Sequence, residues 1–444
     1  MRVPLAPTRP AVIVAVLATV GFGALAARHP GLRFVDVVAF SARAESLGAR
    51  LVDPLYPVGY PALLAAAHGL GADVIVAAKA LSVLAAGGVA FAAALLAGPA
   101  GAAWALAQSG PMEWGITEGT DLLAAALALG GITAAHGRRA GLAGALVGLA
   151  CLVRYTAIAA VPVVLALEPR AWRTLLLAVS PHFVLAAATG ASPLPDQGRN
   201  LAIGAGGRPL SLLSADTLLR FPAGFFRALR DALPDWPTRV AALGLVVGLR
   251  DARARALLGW GLLHCALVAL VFSNQRLCLP AQLAFALGAP WLLPAGRLRA
   301  VALGAAALAV GAWNLRPLLA PEPRFVELAT LAADCAHLDG PFLSNSAWFH
   351  VRRDGWLRGS TQLSGLGGDP RRLTAAGLAD RLRRSGAEAV ALEMVRVPGG
   401  MPGLVPLMKA TPPELALVAE TATWKVFALP GAESPRGEAA AVAE

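Results

Sequence analysis

The chain alternates long apolar runs with short polar breaks. Runs near membrane-spanning length fall at 11–28, 72–97, 99–112, 117–136, 140–153, 155–168, 174–190, 238–250, 256–272, 277–295 and 299–316. A crossing helix needs about 20 apolar residues, so 99–112, 140–153, 155–168 and 238–250 are short for a full span. Counted together, the runs predict about eleven crossings. Near residue 320 the pattern changes and charge rises. "PRFVELATLAADCAHL" and "DPRRLTAAGLADRLRRSG" have helical periodicity, "GPFLSNS" and "AEAVALEMV" read as strands, and "ELALVAETATWKVFAL" reads as a hairpin. The pattern thus predicts an all-α multi-pass transmembrane helical domain over 1–320. A small α/β domain follows over 321–430, then a disordered tail over 431–444.

Composition agrees with the membrane class. The chain is 57% hydrophobic and only 15% charged, against about 25% charged in soluble domains. Its formal net charge of +11 comes from 38 basic residues, all Arg except Lys79, Lys409 and Lys425. Much of this Arg sits in short breaks between apolar runs, and no basic patch interleaves with aromatics, which argues against a nucleic-acid partner. Arg2 and Arg9, Arg138 and Arg139, Arg170 and Arg173, Arg250, Arg253 and Arg255, and Arg297 and Arg299 all fall on the N-terminal side of the predicted bilayer. The positive-inside rule makes that side cytoplasmic and places the C-terminal domain outside. A cleaved signal peptide over 1–28 is the alternative for the first run and leaves this orientation unchanged. The outer face then carries loops 29–71 and 191–237.

In the first outer loop, "RFVDVVAFSARAESL" (33–47) has helical spacing. Asp36, Phe40, Arg43 and Leu47 share one face, and Val37, Val38 and Ala44 form an apolar one. The expectation is a helix lying in the membrane interface, apolar side down, with Asp36 at headgroup depth. Tyr56 and Tyr60 suit the interfacial aromatic belt. Lys79 is the one lysine of the membrane part, about two turns into its predicted span, where an ionisable group is costly. Asp121 is expected inside the hydrocarbon for the same reason, three residues after Glu118 on nearly the same helix face. Glu113 lies just before them. His68, His136, His182 and His264 are scattered, and Cys151, Cys265, Cys278 and Cys335 show no metal-ligand spacing. No phosphate-binding loop or dinucleotide fingerprint is present, so no nucleotide cofactor is expected.

A helix running outward, an acidic amphipathic loop, "YPVGYPALL" (56–64), "MEWGITEGTDLLAAALAL" (112–129), "GALVGLACLVRYTAIAAVPVVLAL" (144–167) and a late "SNQRLCLP" (273–280) follow one another before the soluble domain. This arrangement resembles the GT-C superfamily of integral-membrane glycosyltransferases. The bacterial protein mannosyltransferases and lipid A aminoarabinose transferases are its nearest counterparts, and the resemblance covers about 1–320. It implies an inverting transfer of a sugar from a polyprenyl-phosphate carrier to a glycan, lipid or protein acceptor at the outer face of a bacterial cytoplasmic membrane.

The resemblance also implies site roles. Asp36 stands where the family has its first-loop acid, a general base or metal ligand, and Glu118 matches a second family acid that assists it. Arg154 and Arg276 match arginines that hold the donor phosphate, with Lys79 as a further candidate. Asp121, Glu113, Tyr56 and Tyr60 are possible supporting residues. Many relatives carry two adjacent acids in the first loop, whereas this chain has Val35-Asp36-Val37. A divalent Mg or Mn site would therefore need Asp36 together with Glu118 or Glu113. Relatives usually show Arg-Tyr where this chain has Arg276-Leu277. A transporter or lipid flippase, or a non-catalytic descendant of the superfamily, are the other readings the sequence leaves open.

Overall fold

The computed structural model describes residues 8–29, 31–47, 57–190, 215–271, 275–363 and 369–430. Tyr56, residues 191–214 of the second outer loop and the 431–444 tail lie outside the described residues. The chain forms two compact units. One comprises Met1–Arg28, Ser46–Ala66 and Val76–Ala320, and the other His29–Glu45, Ala67–Ile75 and Pro321–Glu444.

The first unit is helical. Among the described residues, five helices are long and apolar enough to cross a membrane: Arg9–Ala26, Val74–Leu106, Pro169–Thr189, Ala252–Leu270 and Arg297–Leu318. Shorter apolar helices occupy Asp121–His136, Ala140–Val153, Tyr155–Leu167, Trp236–Val247 and Leu279–Leu292. This is an integral membrane protein.

Several predicted boundaries are refined. Val74–Leu106 breaks at Gly98 (φ 81°), just before Pro99, where the two predicted spans 72–97 and 99–112 meet. Glycine reaches this left-handed backbone without a Cβ clash, and Pro99 has no N–H to continue the ladder. The helix predicted from 117 starts at Asp121, and 115–120 is a non-helical turn. Gly115 and Gly119 weaken helix there, each by about 1 kcal/mol relative to Ala. Glu118 and Asp121 therefore do not share a helix face. Within the predicted loop 191–237, Ala215–Ala232 forms a strongly amphipathic helix packed along Ala252–Val271, with Gly224 against the Ala269 carbonyl. Pro222 and the charges obscured its periodicity.

Small residues let these helices approach closely, as association between apolar helices requires. Gly144 lies on the Ala171 carbonyl and the Thr174 hydroxyl. Gly244 and Gly288 meet backbone to backbone.

The second unit holds a five-stranded mixed sheet among its described residues. Its order is Thr361–Gln362, Phe342–Ser344, Ala389–Glu393, Trp424–Ala428, Ala416–Glu420. The first three strands are parallel and the last two antiparallel. Ala389–Glu393 is buried along its whole length. Leu378 and Leu382 of the Ala375–Ser385 helix pack with Val390 and Phe427, while Leu328 and Leu331 of the Pro323–Asp334 helix pack with Ala391 and Trp424. Alternate residues of the same strands thus serve two cores, as period-2 geometry requires. Burial opposes ionisation of Glu327, yet hydrogen bonds from the Thr423 and Thr421 hydroxyls and the Thr423 N–H hold its pKa below the usual carboxylate value. Those bonds tie the final hairpin turn to the Pro323–Asp334 helix.

A second hairpin, His350–Arg353 with Trp356–Gly359, turns at Asp354 and Gly355, both at positive φ. Against it packs the first-loop helix, Asp36–Glu45. Ser41 Oγ accepts the Leu357 N–H at 2.8 Å, and Glu45 pairs with Arg358 at 2.9 Å. A Cβ on Gly359 would come within 2.8 Å of Val38 Cγ1. The apolar side expected to rest on the membrane is thus covered by protein, because periodicity reports that a face is covered and not by what. Asp73 pairs with Arg352, and His68 stacks on Trp356 with centroids 4.0 Å apart.

Gly244→Val forces a branched side chain onto the Gly288 carbonyl. Overpacking of this kind costs about 1–3 kcal/mol. Thermal unfolding in detergent should show a lowered Tm for Gly244→Val. Gly304→Ala, whose Cβ meets nothing within 4 Å, should show no such loss and a Tm at or slightly above the parent's.

Candidate active site

Four separate segments of the helical unit bring their charges together. Lys79 comes from the second turn of Val74–Leu106. Glu118 lies in the 115–120 turn, which is pinned to the Lys79 helix by the Ser82 hydroxyl donating to the Thr117 carbonyl at 2.8 Å. Asp121 opens the Asp121–His136 helix, where the N-terminal dipole favours a negative charge. Arg154 stands in extended backbone just past the Ala140–Val153 helix. Arg276 sits in the turn before Leu279–Ala286.

These groups form one ion-pair cluster. Lys79 Nζ is 3.4 Å from Glu118 Oε1. One Arg154 nitrogen is 3.1 Å from Asp121 Oδ1, and the other donates to the Thr120 hydroxyl at 2.6 Å. Arg276 Nε is 3.9 Å from Asp121 Oδ2. Tyr60 is fully buried, with its hydroxyl against the Gly119 backbone and within the fields of Glu118 and Asp121. Burial divides the cluster by sign: the Glu118 and Asp121 side chains are 0% and 1% exposed, whereas Lys79, Arg154 and Arg276 keep 13%, 14% and 22%. The carboxylates lie behind and the accessible groups are cations. Such an arrangement receives an anion, and planar guanidinium forks suit phosphate oxygens.

The other predicted site residues lie on other elements. Glu113 is exposed, on the short Ser109–Trp114 helix. Asp36 is half-buried in the first turn of Asp36–Glu45 and belongs to the second unit. Tyr56 falls outside the described residues. Among the described residues, no three or more of His, Cys, Asp and Glu gather into a group that could hold a metal. Both cluster carboxylates are ion-paired, Glu118 with Lys79 and Asp121 with Arg154.

Two residues at this site lacked a sequence signal. His264, fully buried in the Ala252–Val271 helix, bonds to the Leu277 carbonyl at 2.7 Å beside Arg276. Gln282 donates to the Gln275 carbonyl at 2.9 Å. Both link a side chain to backbone across a turn or between helices, and no spacing rule reports such a bond.

A helical membrane unit with a sealed, cation-faced charge cluster, joined to a small α/β unit, defines the class of protein. No family model and no curated protein sequence matches the chain. Its fold is that of ArnT from Cupriavidus metallidurans. The apo structure matches with a TM-score of 0.56 at 13% identity, and the structure bound to undecaprenyl phosphate with a TM-score of 0.52 at 14% identity. Each alignment covers 96% of this chain and 98% of the other. At such identities the likeness is one of fold.

Removing one partner of a buried ion pair costs about 3–5 kcal/mol, because the other charge is left uncompensated. Lys79→Met should therefore lower thermal stability strongly, and adding Glu118→Leu should restore most of the loss. A double-mutant cycle of unfolding measures this, and additive losses would count against the pair.

Proposed function

We propose that this protein is a glycosyltransferase that moves a sugar from a polyprenyl-phosphate carrier to an acceptor at the outer face of the bacterial cytoplasmic membrane, with inversion. The observation that carries this reading is the sign-divided cluster, whose partly exposed groups are all cationic. Its membrane setting favours a lipid-linked anion as the ligand. The ArnT fold, solved with undecaprenyl phosphate bound in one case, supports the same ligand class. The loop arginines support the orientation, with the α/β unit outside.

The proposed chemistry is a single displacement. An acceptor oxygen attacks the anomeric carbon as the bond from that carbon to the lipid phosphate oxygen breaks. The lipid phosphate leaves with the electron pair, and Arg276, Arg154 and Lys79 stabilise its growing charge. Asp36 takes the acceptor proton as general base. Glu118 and Asp121 act as positioning residues that hold the cations in place. No step is routed through a metal. The donor group is a hexose-type sugar and the nucleophile an oxygen on a glycan, lipid or protein.

Purified protein in lipid nanodiscs, given a radiolabelled polyprenyl-phosphate sugar and a panel of acceptors, should release free lipid phosphate and labelled product. Arg276→Ala should lower turnover by about 100-fold, the cost of losing one charge-stabilising donor. Asp36→Asn should lower it by about 100-fold or more, the usual contribution of a general base. Lipid movement across the bilayer without bond cleavage would replace this reading with a flippase, and full turnover in Asp36→Asn would remove the assigned base.

A further inference from the structure

We propose that His264 and Gln282 form a buried clamp that positions Arg276, and so set the enzyme's affinity for the lipid phosphate. This deepens the reading above and rests on it. The turn carrying Arg276 exposes two backbone carbonyls, one on each side of that residue, and a buried side chain takes each of them. His264 meets Leu277 O at 2.7 Å, and Gln282 Nε2 meets Gln275 O at 2.9 Å. The carbonyl only accepts, so His264 donates from Nε2. The same Gln282 amide reaches the Asp231 carbonyl at 3.0 Å, and Cys278 Sγ lies 3.4 Å from the Ala228 carbonyl. The turn is thus fastened both to the Ala252–Val271 helix and to the amphipathic Ala215–Ala232 helix.

His264 is 0% and Gln282 4% exposed. Burial in an apolar bundle is costly for these side chains, and the bonds made by His264 Nε2 and Gln282 Nε2 offset part of that cost. Gly110 gives Gln282 its room, since a Cβ there would strike Oε1. Arg276 Nε is 3.9 Å from Asp121 Oδ2, and the bonds to Gln275 O and Leu277 O fix the backbone from which its side chain extends. A turn free to shift by about 1 Å would misplace the guanidinium fork, a displacement that costs on the order of 100-fold at a reacting centre. Neither residue touches the phosphate in this proposal.

The test measures binding of a polyprenyl phosphate and of the same polyprenol without phosphate to the full chain in nanodiscs. His264→Leu should weaken phosphate-lipid binding by about tenfold or more and leave polyprenol binding unchanged. His264→Gln, which restores an N–H near the position of Nε2, should recover most of the affinity. In an Arg276→Ala background, His264→Leu should add no further loss. Gln282→Leu supplies the same test from the other side of the turn, should His264→Leu not fold. Equal loss for both lipids, a further loss without Arg276, or unchanged binding in both variants would each overturn the clamp. Arg276→Ala binding polyprenyl phosphate like the parent would instead overturn the phosphate site, and the clamp with it. Loss in Arg276→Ala with parental binding in both clamp variants would sink the clamp alone.

Discussion

A carboxylate inside an apolar helical bundle is stabilised by a cation beside it, and Glu118 and Asp121 are buried almost completely. Moving such a charge out of water costs several kcal/mol even after relaxation. Glu118 and Asp121 therefore dictate where Lys79, Arg154 and Arg276 must lie. Apolar helices slide and rotate against one another with little penalty, whereas an ion pair near 3 Å does not. The cluster thereby fixes the relative placement of the helix beginning at Val74, the turn before Asp121, the end of the helix at Val153 and the turn at Arg276. Close glycine contacts such as Gly244 on Gly288 then set how near the helices come.

The same constraint gives the site its chemistry. Because the anions are sealed and the cations are not, the cluster presents positive charge to whatever enters. A site built only to neutralise its own charges would not need partial exposure of all three cations. The proposed base is carried elsewhere in the chain. Asp36 begins a helix whose neighbours are the His350–Gly359 hairpin and the Arg352–Asp73 pair. The helix that carries Asp36 is thus a structural part of the α/β unit.

Much of the fold was legible in the residues. Apolar runs marked the membrane helices, and Gly98-Pro99 marked the break between two of them. The buried strand at Ala389–Glu393 and the final hairpin followed from their periodicity. The hairpin at His350–Gly359 was missed, although Asp354-Gly355 between two alternating stretches is the turn signal that points to it. The amphipathic helix at Ala215–Ala232 was read as loop because a proline and dense charge masked its apolar stripe. Lys79, Glu118, Asp121, Arg154 and Arg276 were each conspicuous as ionisable groups in or beside apolar segments. Their pairing was not, since partners such as Arg276 and Asp121 are separated along the chain by several helices.

By itself the sequence determined the membrane class and which charged residues carry a cost that only function or pairing can offset. Those properties depend on composition and local period, and each residue brings them with it. Tertiary structure decided which cation meets which carboxylate, and that the carboxylates are sealed while the cations are not. It also decided that two silent residues, His264 and Gln282, hold the turn of Arg276. Each of these is a relation in space between distant segments, set by packing and low-dielectric pairing, and no window of sequence contains both partners.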